Sequence, residues 1–99
     1  MKLVILDDVI VFIDACALED SAKIFAELNF LEMGRTEVLL IEPLKGKIME
    51  LSVKRYRIVF CKVGATIYVI DVFKKQSAKT PLRIIEQAEK IYRKIIQML

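Results

Sequence analysis

The sequence predicts an α+β domain whose second half is a meander of antiparallel strands followed by a C-terminal helix. Two observations carry this expectation. From Ile48 to Phe73 the apolar residues recur with a period of two, interrupted by a Gly64-Ala65 pair that suits a two-residue hairpin turn with Gly first. From Ile84 onward the period changes to that of a helix: Ile84, Ile85, Ala88, Ile91, Tyr92, Ile95 and Ile96 form one stripe. At 99 residues the chain makes one domain, and burial of about two-thirds of its unfolded surface supplies a single core without staples.

The elements follow in order. Residues 2–6 form a short apolar run, expected as an edge strand. Asp7 and Asp8 mark a helix start, since acidic groups are favoured near a helix N-terminus; residues 9–17, apolar almost all round, suit a buried helix or a strand, their β-branched content favouring strand and their Ala-rich end favouring the helix taken here. Glu19-Asp20-Ser21 is a second start signal. Phe25, Leu28, Phe30 and Leu31 supply a stripe, and Gly34 stands where a C-terminal cap belongs, so a helix is expected over 21–33. Residues 38–41 are a brief apolar run closed by Pro43, and Lys45-Gly46-Lys47 is a turn. Strands are expected over 48–54, 55–63 and 66–73. Met49, Leu51 and Val53 share one face, with Glu50, Ser52 and Lys54 opposite. Tyr56, Ile58 and Phe60 likewise oppose Arg55, Arg57, Val59 and Cys61. Thr80 reads as a helix cap with Pro81 in the first turn, where its missing N–H costs nothing, and a helix is expected over 82–97. Glu86/Lys90 and Glu89/Arg93 are spaced as i,i+4 ion pairs on its outer side.

Several function classes drop out at once. No run of 18 apolar residues is present, so no transmembrane helix is expected; no cleavable apolar leader is apparent, and a cytoplasmic location follows as the expectation. The chain has no histidine, and its two cysteines, Cys16 and Cys61, are isolated; they are expected as buried thiols rather than a disulfide or zinc ligands. No phosphate-binding glycine loop or dinucleotide turn is present, and no cofactor is expected.

Charge is segregated. Residues 1–44 hold three Lys/Arg against nine Asp/Glu, a net −6, whereas residues 45–99 hold thirteen against four, a net +9. A polyanion partner for the basic half is one reading, and a solvated surface is the other. Without imidazole or a cysteine pair, the chemistry that remains is cationic chemistry on a phosphodiester. RNA brings its own nucleophile, the 2′-OH; a protein need only orient the backbone, stabilise charge on the pentavalent phosphate and move protons. Arg57 sits on a strand and is held more rigidly than a loop arginine. Lys74 and Lys75 stand together just after a strand, and a lysine there is a candidate for moving protons. Lys54 and Arg55, at a strand junction, are candidates for holding flanking phosphates. Each has a plain structural rival. Arg57 can pair with Asp71 or Glu50, Lys74-Lys75 can blunt a strand end, and Lys54-Arg55 can be a solvated turn. Tyr56 and Tyr92 read as core aromatics.

The order of motifs resembles the RelE/HigB superfamily of toxins, in its phage-type HigB-like branch. Gly46-Lys47-Ile48-Met49-Glu50-Leu51-Ser52 resembles a segment in which that branch carries Gly and then Glu-Leu-Arg. Tyr56-Arg57-Ile58-Val59-Phe60 resembles the Tyr-Arg-Val-hydrophobic-Tyr strand shared with RelE. Phe73-Lys74-Lys75, Lys79-Thr80-Pro81 and Ala88 resemble the Phe-x-Lys-Lys, Thr-Pro and helical Ala signature. The likeness covers roughly residues 45–95. It implies a RelE-like fold, with N-terminal helices packed on a twisted, mainly antiparallel sheet and a C-terminal helix. It further implies a metal-independent endoribonuclease that cuts mRNA, ribosome-dependent or free, and is neutralised by a cognate antitoxin. By position, Arg57 and Lys75 take the catalytic places, and Lys54, Arg55, Lys74 and Lys79 are the accompanying RNA-binding candidates. The sequence departs from the pattern at Ser52, which replaces an arginine. Glu50 and Ser52 also replace the two strand lysines of RelE. A non-catalytic, phage-related relative that binds RNA, ribosome or a protein partner is the alternative. A third class is an assembly module or homo-oligomer using exposed apolar surface.

Overall fold

The computed structural model describes residues 1–99 and is an α+β structure with a RelE-like layout. Strand β1 (Lys2–Ile5) leads into helix α1 (Asp7–Asp14) and helix α2 (Leu18–Glu32). A 3-10 turn at Thr36–Val38 precedes strands β2 (Leu40–Lys45), β3 (Ile48–Val53), β4 (Tyr56–Val63) and β5 (Thr66–Lys74), and helix α3 (Leu82–Met98) closes the chain. The five strands form one sheet in the order β1-β5-β4-β3-β2. Strands β2 to β5 are antiparallel neighbours, as the meander required, whereas β1 lies parallel to β5, pairing Leu3 with Ile67 and Ile5 with Val69.

Three hairpin loops of two residues fix the register, each with its first residue at positive φ: Gly46, Lys54 and Gly64. Glycine at the first position suits such a turn. Lys54, at φ 54°, is the exception, and a side chain in this region is strained.

The sheet separates two apolar layers. On one face Val9 and Ile13 of α1 and Ile24, Leu28 and Leu31 of α2 pack on Leu51, Val53, Tyr56, Ile58 and Phe60. On the other, Ala88 of α3 and its neighbours Ile84, Ile91, Tyr92 and Ile95 cover Ile48, Val59, Cys61 and Ile70. Strand β4 is therefore buried on both sides, which is why apolar residues fill both halves of its alternation. Each fully buried Ile or Leu contributes about 1.5–3 kcal/mol of transfer free energy, so these layers dominate stability.

Several expectations are corrected. Helix α2 begins at Leu18, not Ser21, with Glu19 and Asp20 inside its first turn. It does end as expected: Gly34 at φ 76° donates its N–H to the Leu31 carbonyl, and Arg35 donates to that of Phe30, the paired bonds of a Schellman cap. The run at 38–41 belongs to β2, which continues through Pro43. A proline is tolerated there because β2 is an edge strand, and the register shifts between Pro43 and Lys45. Thr80 does not cap α3. Pro81 holds the cap position without a side-chain bond, and the Thr80 hydroxyl donates instead to Glu50 Oε2. Glu89 pairs with Lys45 at 3.4 Å, tying the β2–β3 turn to α3, rather than with Arg93, and Glu86 does not pair with Lys90. Of the two thiols, Cys61 is buried and Cys16 only partly so. No helix is long and apolar enough to cross a membrane.

Candidate nucleic-acid interface

The residues singled out by charge and motif gather where β4 begins and β5 ends. The β4–β5 register places Tyr56 opposite Lys74 and Arg57 opposite Phe73. The Lys75 N–H continues the pairing past the end of β5, donating to the Arg55 carbonyl at 2.7 Å. On the other side of β4, Arg57 stands opposite Ser52, and Glu50 lies one step further along β3, opposite Val59.

Arg57 is fixed by its surroundings. Its Nη1 donates to the carbonyls of Lys54 at 2.9 Å and Tyr56 at 2.8 Å. Its Nε lies 3.8 Å from Glu50 Oε1, in an ion pair whose side chains are only 14% and 8% exposed. That Nε is buried and has no hydrogen-bond partner. The pairing with Glu50 decides between the two carboxylates that the sequence offered. Asp71 accepts instead from the Val72 backbone N–H at 2.8 Å, and burial pushes its carboxyl up from the ordinary range. Arg57 thus has one N–H edge locked by the β3–β4 turn and one facing a buried acid. None of its bonds uses Nη2.

Lys54 is engaged elsewhere. Its Nζ lies 2.9 Å from Asp20 and 3.4 Å from Glu19, both in the first turn of α2. Tyr56 donates its hydroxyl to the other Asp20 oxygen at 2.9 Å, so Asp20 joins α2 to both ends of the turn. Arg55 is exposed. Lys74, Lys75 and Lys79 line one hollow of about 140 Å³, together with Arg83 from the first turn of α3. None of these four cations is in an ion pair, and no carboxylate lines the hollow. The fold therefore brings Lys74, Lys75 and Lys79 together, sets Arg57 beside them across from Phe73, and draws Lys54 toward α2. Sequence reasoning missed Arg83; its position four residues after Lys79 was the available signal. No group of three or more His, Cys, Asp or Glu side chains is placed to hold a metal ion.

The chain matches the family described as Phage derived protein Gp49-like (DUF891) over residues 12–93. This protein belongs to the Gp49-like phage-derived family. The matched span of the Gp49-like protein runs from α1 to α3 and contains every residue of the cationic end. The RelE-type resemblance holds at the level of this family. A search of curated proteins finds no match.

The Asp20 cluster gives the Gp49-like protein a definite pH response. The Lys54 and Tyr56 hydrogen bonds hold the Asp20 carboxyl below its ordinary range. Its stabilising contribution is present above the unfolded value near pH 4 and is lost as pH falls through the lower folded value. The bond to Asp20 pushes Tyr56 up to about 12, and burial pushes the Cys61 thiol up to about 11. Both raised groups stabilise the fold fully below their unfolded values, and that contribution is lost as pH rises through the folded ones. Thermal unfolding followed from pH 7 to 12 should therefore show a fall that starts near pH 9. Tyr56→Phe should flatten its upper part. An alkaline limb identical in the two proteins would contradict the assignment.

Proposed function

We propose that this Gp49-like protein is the toxin of a toxin–antitoxin pair, of the HigB-like kind. On this reading it is an endoribonuclease that cuts mRNA, with the ribosome as its place of action. The observation that carries this reading is the hollow of four unpaired cations beside the rigidly held Arg57, with no acid in its lining. Such an arrangement binds phosphodiesters and stabilises charge that develops on one of them. In the reaction proposed, the 2′-hydroxyl gives up its proton to solvent as its oxygen attacks the adjacent phosphorus, and the bond to the 5′-oxygen breaks, leaving a 2′,3′-cyclic phosphate and a 5′-hydroxyl. Arg57 stabilises the pentavalent phosphate, and Lys75 serves as the second basic group and protonates the departing 5′-oxygen. Lys74, Lys79 and Arg55 hold flanking phosphates, and Lys54 contributes only from the rim, since Asp20 and Glu19 already take its charge.

The Glu50–Arg57 ion pair favours a second reading. A carboxylate beside the phosphate-facing arginine lowers the local positive potential, which suits a protein that binds RNA, ribosome or a protein partner without cutting. Two measurements separate the readings. RNA retention on filters should fall steeply between low and moderate salt, because cation–phosphate binding releases counterions; absent or salt-insensitive binding removes both nucleic-acid readings. Expression should then arrest growth and produce discrete primer-extension stops on ribosome-bound mRNA. Binding without stops selects the non-catalytic reading. The cognate antitoxin is proposed as an acidic protein covering the cationic end, checked by co-elution with the product of the adjacent gene.

A further inference from the structure

We infer that the hollow in front of Phe73 is a nucleotide subsite that takes one unpaired base of single-stranded RNA against the Phe73 ring, with the adjoining phosphate held by Lys75, Lys79 and Arg83. The inference rests on the nucleic-acid reading above and goes beyond it, because cations alone track a backbone and have no use for a base. The apolar part of the hollow is small, consisting of Phe73, Pro81 and Ile84 in an otherwise polar and cationic wall, and Phe73 is its only aromatic ring. Phe73 is half-buried and packs on the layer between α3 and the sheet, so the ring is held in place and docking a base against it orders little that is not ordered already. Gln76 and Ser77 also line the hollow and offer an amide and a hydroxyl to the polar edge of a base, while the Ser77 hydroxyl donates to the Lys79 carbonyl at 3.0 Å and braces the loop.

Position favours the same assignment. Phe73 stands directly opposite Arg57 in the antiparallel ladder, and side chains so placed start about 5 Å apart. A base on Phe73 therefore brings its own phosphodiester to the side of Arg57. The hollow, at about 140 Å³, is too small for a helix or a folded partner. A base stacked within a duplex is not free to enter it, whereas the splayed bases of single strands are, and aromatic stacking of such bases is the usual mode of single-strand recognition.

The test uses fluorescence anisotropy with the full chain and a labelled short single-stranded 2′-O-methyl RNA, which the protein is unable to cleave by 2′-OH attack. The comparison is the same backbone carrying abasic residues, which keeps every phosphate. The intact strand should bind tighter, on the order of tenfold, which is the scale of one base–aromatic stack. Phe73→Leu, which keeps apolar volume, should erase that preference and leave abasic binding unchanged, and Phe73→Tyr should retain it. Arg83→Ala should weaken both strands by a similar factor. Equal binding of intact and abasic strands by the wild type overturns the subsite while leaving a phosphate-only RNA reading in place. If neither strand binds, the subsite and the nucleic-acid reading fall together.

Discussion

Replacing Arg57 with alanine should relieve the growth arrest that the proposed toxin causes, with cleavage falling by roughly 10²–10³, the usual cost of losing one fixed donor to a transition state. The expectation rests on how Arg57 is held. Two backbone carbonyls fix its Nη1 and Glu50 faces its Nε, so the guanidinium is positioned before any substrate arrives. Arg57→Lys should fail nearly as badly, since an ammonium has no planar fork to span two carbonyls and a phosphate at once. Lys75→Ala should act in the same direction, and Lys74→Ala more weakly, because Lys75 is the half-buried member of the pair and Lys74 is exposed. Growth curves and primer extension on ribosome-bound mRNA decide the matter. Arrest undiminished by Arg57→Ala would remove Arg57 from the site while leaving the fold untouched.

Glu50→Ala should destabilise the protein by about 3 kcal/mol, as removal of one partner from a buried ion pair does. Glu50 is the one charged residue that is buried, and two groups depend on it: the Arg57 guanidinium at 3.8 Å and the Thr80 hydroxyl. Alanine leaves a buried positive charge without its counter-ion and a hydroxyl without its acceptor. For a domain of this size, melting temperature shifts by ~4–8 °C per kcal/mol, so the effect is easily read in thermal or urea unfolding. Glu50→Gln keeps an acceptor for Thr80 and should cost less, while its lost negative charge should tighten RNA binding. An alanine variant as stable as the wild type would mean that Arg57 is satisfied by the turn carbonyls alone.

The parts of this molecule that were legible in the sequence are the local ones. The three strands from Ile48 to Lys74 announce themselves because each is an alternating run bounded by a short turn, and α3 because its stripe is uninterrupted. Strand β2 was hidden by Pro43, which demotes a run unless the strand is known to lie at an edge, and edges are set by distant pairing. Thr80 shows the same limit at the level of one side chain. Thr-Pro before an apolar stripe is a sound capping signal, yet the hydroxyl is claimed by Glu50, thirty residues away in sequence. At the site, Arg57 and its carboxylate were both visible, but Glu50 and Asp71 each stand opposite Val59, and only packing decides which one the guanidinium meets. Lys54 was read as a phosphate ligand or a solvated turn. Part of the charge imbalance between the two halves is in fact settled internally, by Glu19 and Asp20 of the acidic half.

The parallel pairing of β1 with β5 bears on when the protein becomes competent during its own synthesis. Strand β1 is the first strand of this sheet in chain order, and its sole neighbour in the sheet is the last. Until Val69 has emerged, residues 2–5 have nothing to pair with, and this long-range closure sets a late step in folding. The lysines at 74, 75 and 79 and Arg83 follow later still. A nascent chain therefore completes its sheet, and brings its cationic end into place, only after all the other strands have been made. For a protein proposed to attack messages on ribosomes, that order withholds activity until the last strand of the sheet has closed on the first.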